Sequence, residues 1–239
     1  DAIKFQKRDI NLVYSEEGLN KERITPFGKT NRDLKEKLEF SLEDYSEIDK
    51  YCRSKGLEWF VSCWDLESLK QMDRFDLKYQ KLASPMLTVW PLVEEISKRK
   101  KYTFISTGMC TLQELEKVVS IFERNQCPYE IMHCNSTYPM ENDSANLRMI
   151  EVLRDKFNCK VGYSSHERGL QISIASVAMG ITSLERHVSL DPLNMFGSDQ
   201  SSSVQPTGVL RLARDGRIIE SALIYSDKCI TESEKPIRE

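Results

Sequence analysis

Apolar positions follow two alternating rhythms along most of this chain. From residue 57 onward, short apolar runs that read as strands alternate with stretches where apolar residues recur every third or fourth position, the period of an amphipathic helix. Strands are expected over 57–63, 79–83, 103–106 and 129–134, from residue 161, and near residue 184, with another over 3–6. Helices are expected over 66–75, 88–101, 111–125 and 146–157, and after Gly169. Thr111 followed by Glu114 has the form of a capping box, and Asp44 or Ser41 can cap a helix that ends at Gly56. The polar segment 7–31 carries Gly18, Pro26 and Gly28 without a sustained period and reads as a long loop; helical period begins near Leu34 and Leu38.

Strand-to-strand intervals of about 20 to 30 residues match βα units, so the strands should lie parallel with helical crossovers. Seven strands are expected, centred near residues 4, 60, 81, 104, 131, 161 and 184. The fold class is α/β, a TIM (β/α)8 barrel whose first strand would precede Asp1, with 1–239 as a single catalytic domain. An open doubly wound sheet is the alternative, although no GxGxxG motif opens any unit.

The stretch 161–191 carries two of the three histidines, His166 and His187, each at the carboxyl end of an expected strand. Barrel strands deliver such residues to one shared mouth, so the two imidazoles can converge on a cation. Taken singly, a histidine near a strand end is usually a hydrogen-bonded core or rim residue; the equivalent positions of the two on successive units favour ligation. His133 lies inside an apolar run and reads as a core residue.

Other polar residues gather at strand ends: Lys4, Gln6, Ser62, Cys63, Lys81, Ser84, Ser106, Thr107, Asn135, Ser136, Tyr138, Ser164 and Glu185. Lysines as point charges, with hydroxyls and amides as directional donors, form a binding set for phosphate or carboxylate. Each has a blander alternative, a snorkelling lysine or a serine in a turn. Their recurrence from unit to unit proposes an anion beside a metal.

Composition narrows the function. The chain has 239 residues, 40% hydrophobic and 30% charged, enough for one domain with a substantial core. Its net charge of -3 supplies no basic field for nucleic acid. The seven cysteines are odd in number and lack a CxxC pair, which disfavours a disulfide framework or a structural zinc site and suggests reduced thiols in a cytoplasmic protein. No apolar run approaches the ~20 residues of a membrane span.

Six segments, in order, resemble the sialic acid synthase family: Ile3-Lys4-Phe5-Gln6, Lys81-Leu82-Ala83-Ser84, Ser106-Thr107-Gly108-Met109, Met132-His133-Cys134 with Tyr138-Pro139, Gly162-Tyr163-Ser164-Ser165-His166, and Leu184-Glu185-Arg186-His187. The resemblance implies a TIM-barrel transferase that condenses phosphoenolpyruvate with an N-acetylated aminosugar, giving a nonulosonic acid and phosphate. It implies His166 and His187 as ligands of Mn2+ or Mg2+, with Lys4 and Lys81 also catalytic. Lys4, Cys63, Lys81, Ser84, Ser106 and Ser164 would hold phosphoenolpyruvate, with Asn135 or Ser136 supplying another contact and Tyr138 and Asp199 on the sugar side. It further implies a cytoplasmic homodimer and, in relatives, a C-terminal antifreeze-like domain for which 204–239 is too short; a closing helix and a tail are expected there. Ser165 stands where the family usually has an aspartate, Cys63 where a threonine is common, and Asn135-Ser136 replaces a Thr-Asn order. Pseudaminate or legionaminate synthesis, another phosphoenolpyruvate-dependent aldose condensation, and a non-catalytic anion-binding barrel are the alternatives.

Overall fold

A computed structural model describes residues 1–191, 196–197, 199–224 and 227–238. In chain order the strands are β1 (Ala2–Lys7), β2 (Glu22–Thr25), β3 (Gly28–Thr30), β4 (Glu58–Cys63), β5 (Tyr79–Leu82), β6 (Tyr102–Ser106), β7 (Tyr129–Cys134), β8 (Val161–Ser165) and β9 (Leu184–Arg186). β2 and β3 form an antiparallel hairpin, and the other seven make one parallel sheet in the order β1-β4-β5-β6-β7-β8-β9. All seven expected strands are therefore present and parallel.

That unbroken sequential order excludes the doubly wound alternative, in which strand order reverses at a switch point. The sheet curls until its two edges meet through side chains: Lys4 Nζ on β1 lies 3.0 Å from Glu185 Oε1 on β9. Among the described residues it is an open, seven-stranded half-barrel with no eighth strand.

Helices cover the convex face, and their local sequences explain them. Thr111 caps Leu112–Arg124 in the expected reciprocal box with Glu114, and Leu115, Val118, Val119 and Phe122 form its buried stripe. Ser41, rather than Asp44, caps Leu42–Ser54, and Asp44 completes that box. The Tyr45 hydroxyl then donates to the Gln6 carbonyl at 2.7 Å, tying this helix to the end of β1. The helix expected from residue 146 begins at Met149, because Asn146 takes a left-handed conformation (φ 42°). At the carboxyl end, the expected closing helix is Pro206–Ala222.

Strand pleating sorts side chains to two faces. Trp59, Val61 and Cys63 of β4, Leu82, Ile105, Ile131 and Val161 pack outward with the helices in one core. Burial of each large aliphatic side chain there contributes about 1.5–3 kcal/mol. Intervening residues face the concave side, where Phe60, Tyr79, Tyr102 and Phe104 form an aromatic plug, Phe60 and Phe104 centred 5.5 Å apart. Above the plug the inward residues turn polar.

The segment 7–31 is not a loop. It holds helices Ile10–Val13 and Glu16–Asn20 and the β2–β3 hairpin. Side-chain caps make these elements, with Asp9 accepting from Asn11 N and Ser15 from Gly18 N; buried Ile10 and Leu19 anchor them. Elements of three to five residues are too short to show a period. No described helix is long and apolar enough to cross a membrane, and all seven cysteines are free thiols.

Candidate active site

Inward positions at the carboxyl ends of the strands line a cavity of about 290 Å³. Lys4, Lys81, Ser84, Ser106, Ser136, Tyr138, Ser164, His166, His187 and Asp199 all border it, as expected. Cys63 does not. Its parity on β4 turns it outward into the helix-packed core, where burial pushes its thiol up to about 12. Asn135 does not line the cavity either; its side-chain oxygen caps Thr137 and its amide reaches the Ser144 carbonyl. His133 faces away as well, stacked on Tyr163 and bonded through Nε2 to the Ala145 carbonyl at 2.8 Å.

A charge cluster organises the floor. Glu185 accepts from Lys4 Nζ at 3.0 Å and Ser164 Oγ at 3.1 Å, and its other oxygen lies 3.2 Å from Lys81 Nζ. Burial opposes ionisation of this carboxyl, but the two lysines outweigh it and hold the group well below the ordinary carboxylate range. Lys81 is only 2% exposed, and its ammonium makes no hydrogen bond within the protein. Burial lowers its pKa, with Lys4 adding to the effect and Glu185 opposing it. Ser106 Oγ is likewise buried without a partner. Two lysines around one carboxylate leave a surplus positive charge on the cavity floor. Glu185 was visible as a strand-end residue, but its bridging role depends on a contact across the gap between the two edge strands.

Close backbone approach shapes the adjoining wall. Gly108 N donates to Ser84 Oγ at 3.0 Å, and a Cβ at residue 108 would lie 2.1 Å from Ser136 Oγ. Only glycine brings this turn so near both hydroxyls.

The histidines stand side by side above the charged floor, with ring centroids 5.3 Å apart. Tyr138 packs on both, centred 4.1 Å from His166 and 5.8 Å from His187. His166 Nδ1 donates to the Asn135 carbonyl at 2.5 Å, which leaves Nε2 as the lone-pair nitrogen. Asn135 thus serves the site through its main chain. His187 Nδ1 lies 3.6 Å from Asp199 Oδ2. Burial, reinforced by Lys4, lowers the His187 pKa to about 4, so this ring is neutral at pH 7. For His166 burial also opposes the charge, yet Cys134, the Asn135 carbonyl and Glu185 together raise its pKa.

The pair suits a divalent cation. A histidine that donates one nitrogen to a carbonyl offers the other to a metal, and neutrality is what ligation requires. Among the described residues no group of three or more His, Cys, Asp or Glu side chains could hold a metal. A cation here would have two imidazole ligands and positions open to water or substrate oxygen, the arrangement of a catalytic rather than a structural centre.

The rim comes from residues 8–39 together with Trp64. Arg8, Tyr14, Arg23, Lys35, Glu39 and Trp64 border the outer cavity. Arg8 bonds Glu39 and the Tyr14 hydroxyl while lying over Trp64, and Lys35 Nζ sits 3.9 Å from the Tyr14 ring centre. Arg23, on the hairpin, donates to the Phe196 carbonyl at 3.1 Å. None of these rim residues was anticipated: Arg8 and Trp64 directly follow β1 and β4 but were not among the polar strand-end candidates, and Tyr14, Arg23, Lys35 and Glu39 lie outside the parallel sheet.

Comparison with known proteins adds independent findings. The NeuB family profile matches residues 1–228. The chain is 35% identical over 209 residues to N-acetylneuraminate-9-phosphate synthase of Drosophila melanogaster, covering 86% of this chain and 56% of that protein. It is 31% identical to N,N'-diacetyllegionaminic acid synthase of Campylobacter jejuni, covering 98% of this chain and 72% of that one. The crystal structure of N-acetylneuraminic acid synthetase from Leptospira borgpetersenii in complex with citrate superposes with a TM-score of 0.88 at 25% identity, over 99% of this chain and 79% of that one. The chain spans 56% to 63% of the length of the animal relatives it matches.

Proposed function

The chain belongs to the NeuB family, and on that premise we propose that its cavity is the condensation site of a nonulosonic acid synthase. Phosphoenolpyruvate and an N-acetylated aminosugar aldehyde would enter with water, and a nonulosonic acid and phosphate would leave. The observation that carries this reading is the buried Lys81 ammonium, paired only with the Glu185 it shares with Lys4, below the histidine pair.

Lys4 and Lys81 would neutralise the phosphate and carboxylate, while Ser84, Ser106, Ser136 and Ser164 orient them by directional donation. Glu185 fixes both lysine tips, so less reorganisation accompanies substrate binding. His166 and His187 would hold Mn2+ or Mg2+ through Nε2, and the bound cation would supply Lewis acidity toward the aldehyde oxygen. The lysines and hydroxyls aim C3 of phosphoenolpyruvate at the aldehyde carbon, and Tyr138 and Asp199 would position the sugar. After the carbon–carbon bond forms, water adds to C2 of the former phosphoenolpyruvate unit. The bond from C2 to the phosphate oxygen then breaks. Positioning and charge compensation supply most of the rate on this scheme.

The rim addresses the choice of sugar. Five Lys or Arg residues line the cavity, Lys4, Arg8, Arg23, Lys35 and Lys81, against Glu39, Glu185 and Asp199. With Lys4 and Lys81 committed to phosphoenolpyruvate, Arg23 and Lys35 favour a sugar bearing a distal phosphate, in keeping with the 9-phosphate products named for the animal relatives.

The test is phosphate release by the protein with Mn2+ and phosphoenolpyruvate, measured with N-acetylmannosamine, its 6-phosphate and diacetylated bacillosamine-derived sugars. Release with one sugar, abolished by EDTA, is the expected result. Tight Mn2+ and phosphoenolpyruvate binding without release for any aldose would overturn the synthase reading in favour of a non-catalytic barrel.

A further inference from the structure

Behind the cavity, on the opposite face of β8 and β9, lies a second buried charge pair that the reaction scheme does not use. Strand alternation places His166 and His187 inward, while their neighbours Glu167 and Arg186 turn away from the cavity and meet. Glu167 is 0% exposed, and Arg186 Nη1 lies 3.2 Å from Glu167 Oε1.

Arg186 does more than neutralise Glu167. Nη1 also donates to the Gly169 carbonyl at 2.8 Å and Ser173 Oγ at 2.9 Å, while Nη2 donates to the Glu167 carbonyl at 2.8 Å and the Ser202 carbonyl at 3.0 Å. One guanidinium therefore binds three separate backbone stretches. The first is the loop after β8 that presents His166. The second is the start of the following helix, through Ser173, whose N and Oγ both donate to Glu167 Oε1. The third is the segment holding Asp199, whose carbonyl accepts from Ser202 N and Oγ. Arg186 itself is the residue preceding His187.

Such anchorage matters because β9 has only three residues and sits at the sheet's edge. Its ladder to β8 stops at Ser165↔Arg186, so both histidines lie one residue past the last paired position. Past that point the main chain of each histidine is held by a different partner, the His166 carbonyl accepting from Met140 N and the His187 carbonyl from Val204 N, so the ladder no longer ties the two segments to each other. We propose that the Glu167–Arg186 pair is a positioning device that sets His166, His187 and Asp199 relative to one another, and so tunes affinity for a divalent cation that neither residue touches. This rests on the two histidines being the metal pair.

The departure at residue 165 fits the same account. Ser165 is the direct ladder partner of Arg186 and stands where the resembling family usually carries an aspartate. Here the carboxylate comes from Glu167, two residues further along the chain, and Ser165 Oγ instead meets Ser173 Oγ at 3.0 Å.

The experiment uses the full chain and its Arg186→Lys and Glu167→Gln variants. Lysine keeps the charge but loses the fork that reaches several carbonyls at once. Glutamine keeps an acceptor at the Oε1 position. Mn2+ affinity is measured from the electron paramagnetic resonance signal of the free ion. Phosphoenolpyruvate affinity without metal is read from tryptophan fluorescence, and imidazole 1H–13C spectra are recorded on the metal-free protein.

The expected result is a loss in Mn2+ affinity of about 10- to 100-fold, the usual effect of removing a partner that orients a ligand. Metal-free phosphoenolpyruvate binding should be unchanged, and the His166 and His187 cross-peaks should move. Adding Ser165→Asp to Glu167→Gln should return the Mn2+ affinity, since a carboxylate then faces Arg186 across the ladder. Equal weakening of Mn2+ and phosphoenolpyruvate binding would reduce the pair to a structural role and overturn the proposal. So would unchanged Mn2+ affinity with unmoved cross-peaks. If the unaltered protein binds no Mn2+, the metal reading fails, and the cross-peaks alone decide whether the pair positions the rings. If Arg186→Lys does not fold, Glu167→Gln and its Ser165→Asp rescue carry the test.

Discussion

The floor of the cavity and its rim are built on different terms. The floor consists of alternate residues from one parallel sheet backed by the helix-packed core, with the edge strands β1 and β9 joined across their gap by Lys4 and Glu185. The rim is assembled from residues 8–39, which depend on caps and on partly exposed ion pairs such as Arg8–Glu39 at 2.5 Å and Arg32–Glu16 at 2.9 Å. The floor holds two like charges, Lys4 and Lys81, beside one carboxylate, Glu185. Loops like those of the rim can change without disturbing that chemistry. On the proposed function, this contrast assigns reaction type to the floor and substrate choice to the rim.

The largest effects should follow damage to the floor. His166→Ala or His187→Ala should lower metal-dependent kcat/KM by about 10³-fold or more, because Lewis-acid stabilisation is worth several kcal/mol. Isothermal titration with Mn2+ should show the matching loss of binding, and circular dichroism an intact fold. Full Mn2+ affinity in both variants would remove the histidines from the metal site.

Next comes Lys81→Met. It should raise the KM for phosphoenolpyruvate about 10- to 100-fold, the range of a lost charge-assisted hydrogen bond. The same change relieves one of two like charges buried around a single carboxylate, so the Tm should hold or rise. A fall in Tm with an unchanged KM would mark Lys81 as a structural residue instead.

How far the floor could be read in the sequence follows from the same contrast. Lys4, Lys81, Ser106 and Ser164 interrupt apolar strands, and a polar residue at the end of a buried parallel strand signals the mouth of a barrel. Cys63 was misplaced because β4 reads Trp-Phe-Val-Ser-Cys, apolar toward both the aromatic plug and the helices, so composition leaves its parity open. Ser62 has the inward parity instead. Asn135 contributes a carbonyl that every residue possesses, which no side-chain pattern can reveal. The rim was harder to read for another reason: apart from the helix Asn31–Leu38, whose period shows at Leu34 and Leu38, its elements are too short for periodicity, and its contacts join residues far apart in sequence, as Arg8 with Glu39 and Arg23 with the Phe196 carbonyl.

Within the floor, the two histidines should titrate in opposite directions from their common ordinary value of 6.5. His187, lowered to about 4, remains neutral across the usual range, so proton competition with metal falls to His166. Mn2+ affinity should drop about tenfold per pH unit below the raised His166 pKa, as expected for one competing proton. In the metal-free fold the signs differ. The stabilising contribution of His166 is complete below 6.5 and disappears as pH rises through its raised folded value. That of His187 is present above 6.5 and disappears as pH falls from there to about 4. Mn2+ binding isotherms between pH 5 and pH 8 check the first statement, and thermal melts of His166→Gln and His187→Gln over the same range check the second. A pH-independent Mn2+ affinity would exclude His166 as a ligand.

The smallest effects belong to the rim, and they sharpen the division most directly. Lys35→Ala and Arg23→Ala each remove one partly exposed cation, so each should cost about 1 kcal/mol or less toward a sugar phosphate, roughly a fivefold rise in its KM. The KM for phosphoenolpyruvate should not move, since Lys4 and Lys81 are untouched, and kcat should change little. Arg23 also holds the hairpin through the Phe196 carbonyl, so its replacement by lysine separates lost charge from lost anchorage. If Arg23→Lys restores the sugar-phosphate KM, the charge is what the substrate reads. If both Arg23 variants instead lower kcat with either sugar, the hairpin takes part in assembling the floor. The boundary between chemistry and specificity would then lie inside residues 8–39 rather than at their edge.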